Sequence, residues 1–162
     1  MAKQFRELDV QNQEMIEKII SEKELDQFIK FSYASDDDAK EVLEVKKVTP
    51  INKFISNGIE LVFIMNENIF DRLINEHQLM VINEVIHSIE YDNESDTISI
   101  LTPDISSYSK YLEYVGIEEY IKLTESIKSI KDQISNNGNN PNTKVLKDNT
   151  EKIEFYKEND KE

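Results

Sequence analysis

The sequence predicts an α+β domain in which a small mixed β-sheet is packed by helices, between flexible termini. Three observations lead there. Strand-like runs lie at Glu41 to Val48, Ile59 to Met65 and Thr97 to Leu101. A long apolar helix pattern fills Asn75 to Tyr91. A length of 162 residues suits one domain with one core. Residues 1–8 are expected as an N-terminal tail, 9–134 as the folded domain, 135–143 as an Asn-rich linker and 144–162 as a C-terminal tail.

In order along the chain, Val10, Met15, Ile16, Ile19 and Ile20 recur near a 3.6-residue period behind Asp9, which predicts a capped amphipathic helix that either ends near Ser21 or continues to Ile29. Phe28 to Tyr33 reads either as the end of that helix or as a strand. The run Asp36, Asp37, Asp38 has neither the alternation nor the Gly and distal Glu of a calcium loop, and is expected as a solvated turn.

From Glu41, Val42, Leu43, Val45 and Val48 alternate with charged residues as in a half-exposed strand, broken at Thr49-Pro50. Ile51 to Gly58 is a connector with a tight turn at Asn57-Gly58. Ile59 to Met65, β-branched and nearly all apolar, is expected at the centre of the sheet. Asn66 to Ile74 links it to the apolar helix, whose Leu79, Met80, Val81, Ile82, Val85, Ile86 and Ile89 cover more than one stripe and predict burial on several sides.

A polar turn, Asp92 to Asp96, precedes the last strand, and Pro103 ends it. Asp104 or Ser106 can cap a helix running to Val115, with Gly116 as its stop. Glu118 to Ile134 predicts one more helix, acidic at its start as the helix dipole favours. In the tail, Val145, Leu146, Ile153 and Tyr156 keep helical spacing, either as an amphipathic docking helix or as a frayed end.

Charge narrows the partners. Against 19 Lys+Arg stand 33 Asp+Glu, a net charge of −14, which opposes direct binding to nucleic-acid backbones or anionic lipid and favours a basic protein partner. There is no cysteine, so disulfides and thiolate zinc sites are excluded, and only two histidines are present. No apolar signal core opens the chain and no run approaches the roughly 18 apolar residues of a membrane span, so a soluble cytoplasmic protein is expected.

The apolar helix carries Asn83-Glu84-Val85-Ile86-His87, one residue short of His-Glu-x-x-His, in which two histidines one turn apart hold zinc beside a general-base glutamate. With the surrounding elements, about a third of the chain, Ile59 to Gly116, resembles the phage metallopeptidase family, a zincin-like family of tailed-phage genomes. The shared order is an apolar strand, a connector, the motif helix, the acidic turn Asp92 to Asp96, the strand Thr97 to Leu101, then Pro103-Asp104-Ile105-Ser106-Ser107-Tyr108 leading to Tyr114-Val115-Gly116.

The resemblance places the family's metal-binding histidines at Asn83, His87 and Pro103, and its general base at Glu84. Two of those three ligand positions have lost their imidazole, and a catalytic zinc needs three protein ligands and a water. The resemblance therefore implies a pseudo-metallopeptidase with no cofactor, in which Glu84 and His87 are vestigial. It is expected to act by binding protein in the host cytoplasm or on the virion, in a virion-associated, transcription-associated or host-takeover role.

Candidate contact residues are Glu76, Asn83, His87 and Glu90 on the polar face of the helix, and Tyr108, Tyr111 and Tyr114, spaced three apart. Two other readings stay open: an acidic DNA mimic that inhibits a DNA-binding protein or RNA polymerase, and a metal-dependent hydrolase with atypical ligands. Glu84-x-x-His87 also has di-iron spacing, but no second such pair exists. Three scattered glycines cannot build a phosphate loop.

Overall fold

The computed structural model describes residues 4–101, 113 and 115–138, and of 137 and 138 only the backbone. The chain divides into two compact units, Met1–Ile127 and Lys128–Glu162. The first contains the sheets described here. The described part of the second, residues 128–138, is helical throughout.

Asp9 caps helix α1 (Val10–Glu22) by accepting from Gln11 N. The helix stops there and does not continue to Ile29: Glu24 takes a left-handed φ of 59° and a short 3-10 turn, Leu25–Gln27, follows. Strand β1 (Phe31–Ser35), β2 (Leu43–Lys47) and β3 (Leu61–Met65) form one sheet in the order β1-β3-β2, with β1 parallel and β2 antiparallel to β3. The apolar run is thus central, as its composition predicts, and Leu61, Phe63 and Met65 are fully buried. Tyr33 stacks on Phe63 across the parallel pair, with ring centroids 5.9 Å apart.

Between β2 and β3 the expected connector is a one-and-a-half-turn helix, α2 (Pro50–Ile55), capped by Thr49 with Pro50 in its first turn and closed by Asn57 and Gly58 at positive φ. After β3 comes α3 (Glu67–Phe70), capped by Asn66, then α4 (Asn75–His87). Strands β4 (Ile89–Asp92) and β5 (Thr97–Ile100) form a separate hairpin around the acidic turn, and α5 (Ile117–Gly138) follows Gly116, whose φ is +91°.

Four expectations are corrected. The motif helix ends at His87 rather than Tyr91, because Ser88 closes it by donating from Oγ to Val85 O at 2.6 Å, after which Ile89 to Asp92 alternate buried and exposed as a strand. Thr97–Ile100 does not join the main sheet; it pairs only with β4, and the third sheet strand is β1. The stretch expected as linker from residue 135 is helical through Gly138. The acidic run after β1 is only partly solvated: Asp36 is buried, and its Oδ1 accepts from Asp38 N at 3.0 Å. In addition, Arg6 exchanges backbone hydrogen bonds with Ser35 and Leu8 is buried, so part of the expected N-terminal tail is bound to the sheet edge. Pro103, Asp104, the residues 139–143 and the tail 144–162 lie outside the described residues.

Two buried polar residues after β3 hold the parts together. Asn66 donates Nδ2 to Asp37 O at 3.1 Å and Ala39 O at 2.9 Å, and its Oδ1 accepts from Ile69 N at 3.3 Å. Glu67 Oε2 accepts from Asn12 Nδ2 at 2.8 Å and Asp9 N at 3.2 Å, tying α3 to the start of α1. Replacing Asn66 with Ala removes a cap and strands the Ala39 carbonyl in a buried place and the Asp37 carbonyl in a partly buried one, so urea denaturation is expected to show a loss of about 2–4 kcal/mol. A loss under about 0.5 kcal/mol would contradict this role for the side chain.

Candidate functional site

Helix α4 packs beside β2, one of the two edge strands of the main sheet, and β2 packs in turn beside β5. Leu101 N donates to Ser88 O at 2.7 Å, which holds the return of the hairpin against the end of α4. Between these elements lies a cavity of about 340 Å³, with walls from Val42, Leu43, Val45, Val81, Val85, Ile100, Leu101 and Ile127, and polar edges from Glu41, Glu44, Glu84, His87 and Ser88. Its volume lies in the usual range of about 300–1,000 Å³ for small-molecule or side-chain sites.

Glu84 and His87 therefore meet in one place, as the motif predicts. Asn83 is not among the lining residues; it donates Nδ2 to Leu79 O at 2.9 Å, so its amide is used within its own helix. The other predicted residues scatter. Glu76 lies in the first turn of α4, about 16 Å along the helix axis from His87 at 1.5 Å per residue. Glu90 is on β4, off the helix face on which it was expected. Tyr108, Tyr111 and Tyr114 lie outside the described residues.

Sequence reasoning missed Glu41 and the whole β2 wall. The alternation of Val42, Leu43 and Val45 signals a half-buried strand, but nothing in it indicates that the strand faces Glu84. In the structure, burial among the valines raises the Glu84 pKa above its ordinary 4.5, and the negative charge of Glu41 raises it further. Glu44 is joined to Lys46 at 3.3 Å and faces the same cavity.

No family model, curated protein or solved structure matches the chain. Among the described residues no group of three His, Cys, Asp or Glu side chains could hold a metal ion. Asn83 spends its Nδ2 on a carbonyl of its own helix, and the titratable side chains that line the cavity are Glu41, Glu44, Glu84 and His87. The apolar walls can take an aliphatic or aromatic group, and the carboxylates at the edge favour a cation beside it. Among the described residues no helix is long and apolar enough to cross a membrane.

The raised Glu84 pKa has a definite sign in stability. The folded state holds the Glu84 proton above pH 4.5, where the unfolded chain has released it, so stability falls as pH rises through that window and stays reduced above the raised pKa. Changing Glu84 to Gln removes the cost. The variant is expected to gain stability over the parent at about pH 7 and to lose that advantage at about pH 4. Thermal denaturation at both values checks it, and an advantage independent of pH would contradict the assignment.

Proposed function

We propose that this chain is a catalytically inactive, zincin-like binding module that holds a segment of a protein partner in the cavity between β2 and α4. The observation that carries the reading is the combination of valine-lined walls with Glu41 and Glu84 at one edge. A segment bearing an apolar side chain next to a Lys or Arg satisfies both: the apolar group displaces water from the walls and the cation lies between two carboxylates that otherwise repel. A partner with basic residues also suits a chain of net charge −14. The resemblance to phage metallopeptidases supports the scaffold part of the reading, since Glu84 and His87 keep their motif spacing while Asn83 and Pro103 replace imidazole ligands.

A titration of the labelled protein with n-butylguanidinium and with n-pentanol, followed by NMR, tests the site. Shifts are expected at Val81, Val85 and Ile100 with the cation, several-fold weaker with the alcohol and after Glu84→Gln. Equal response to the two probes, or none to either, would remove the proposal. Stoichiometric zinc that disappears in His87→Ala would overturn the inactive assignment separately.

A further inference from the structure

Helix α2 has no buried residue. Ile51, Phe54 and Ile55 are 68%, 84% and 69% exposed, and their i, i+3, i+4 spacing puts them on one face. Between Glu44 and Glu60 the chain has no carboxylate and three lysines, Lys46, Lys47 and Lys53. Both ends of the helix are closed by hydrogen bonds. Thr49 caps its start, Gly58 N closes its end on Lys53 O at 2.8 Å, Lys53 pairs with Glu60 at 2.6 Å, and Lys30 Nζ donates to Asn57 O at 3.3 Å. In an otherwise acidic molecule, a preorganised apolar knob with a cationic collar is the counterpart of the valine-lined cavity with its carboxylate edge.

Both surfaces belong to the same chain, and Lys46 of the collar pairs with Glu44 at the cavity edge, but none of Ile51, Phe54 and Ile55 lines the cavity of its own chain. We infer that the occupant of the cavity is the α2 tip of a second copy of this chain, with Phe54 entering between Val81 and Val85 and a tip lysine reaching Glu84 and Glu41. This rests on the binding reading above and names its partner. The contact is heterologous, knob on one copy and socket on the next, so it does not close at two and extends with concentration. It is small compared with the roughly 1,200–2,000 Å² of stable complexes, and is therefore weak and reversible. The Lys53–Glu60 and Lys46–Glu44 bridges are exposed pairs that contribute little and can be exchanged.

Sedimentation velocity of the full chain from about 5 to about 500 µM tests this, since weak self-association appears only toward the upper end. The weight-average mass is expected to rise with concentration without a plateau at the dimer. Phe54→Asp, on a fully solvated face, and Glu84→Lys, in the socket, should each weaken association at least about tenfold, with circular dichroism confirming the fold and Glu84→Gln serving if the reversal unfolds the protein. An equimolar mixture of the knob and socket variants keeps one working surface on each partner and should stop at a heterodimer.

A chain that stays monomeric throughout, or association that survives either variant, overturns the inference. If n-butylguanidinium still binds a monomeric protein, the cavity reading stands and only the identity of its occupant falls. Loss of both binding and association removes the two together.

Discussion

The fold depends on how a very acidic chain buries the few polar groups it must. Asn66 and Glu67 immediately follow the central strand, and between them they reach the β1–β2 loop, the first turn of α3 and the start of α1. A buried amide that donates twice and accepts once is nearly satisfied, so it fixes geometry at little net cost. Glu67 is less comfortable. Its Oε2 accepts from Asn12 and from Asp9 N, while Oε1 is buried without a hydrogen bond from the protein. The cost is offset by what it positions: α1 buries Ile16, Ile19 and Ile20 and packs along α4, the helix that carries the site.

Much of this was legible in the residues. The β-branched run Ile59 to Met65 could only be a buried strand, Asp9 could only be useful as a cap, and Asn57-Gly58 marked a turn that the positive φ values bear out. The failures have one cause, which is that local pattern does not record the partner. Thr97 to Ile100 looks the same whether it joins a three-stranded sheet or a two-stranded hairpin. Ile51 to Gly58 reads as a plain connector, and nothing local to it records that Pro50–Ile55 is a helix with Ile51, Phe54 and Ile55 in solvent. Asp36 looked solvated because its neighbours are charged, yet it is buried and closes the turn that follows β1.

The same limit applied to charge. A net value of −14 says that the surface repels phosphate, but it averages over a molecule that has a run of fifteen residues, 45–59, with three lysines and no carboxylate. At physiological ionic strength fields decay over about 8 Å, so neighbouring side chains set the preference of each patch more than the total does. Local charge is therefore the better guide to which surfaces meet, and total charge to which macromolecules are kept away.

The early end of α4 is the step on which the site turns. Had the helix run on to Tyr91, as its apolar content suggested, Ile89 would have remained on a helical face and no chain would have returned to the level of Glu84. Ser88 instead closes the helix, β4 and β5 form the hairpin, and Leu101 comes back to bond Ser88. That return supplies the Ile100 and Leu101 wall of the cavity that Glu84 also lines, where burial and the charge of Glu41 raise the Glu84 pKa. The motif Asn83-Glu84-x-x-His87 supplies two of the residues at the cavity edge, and the four residues after it, which the helical pattern misassigned, begin the hairpin whose far end supplies the Ile100 and Leu101 wall.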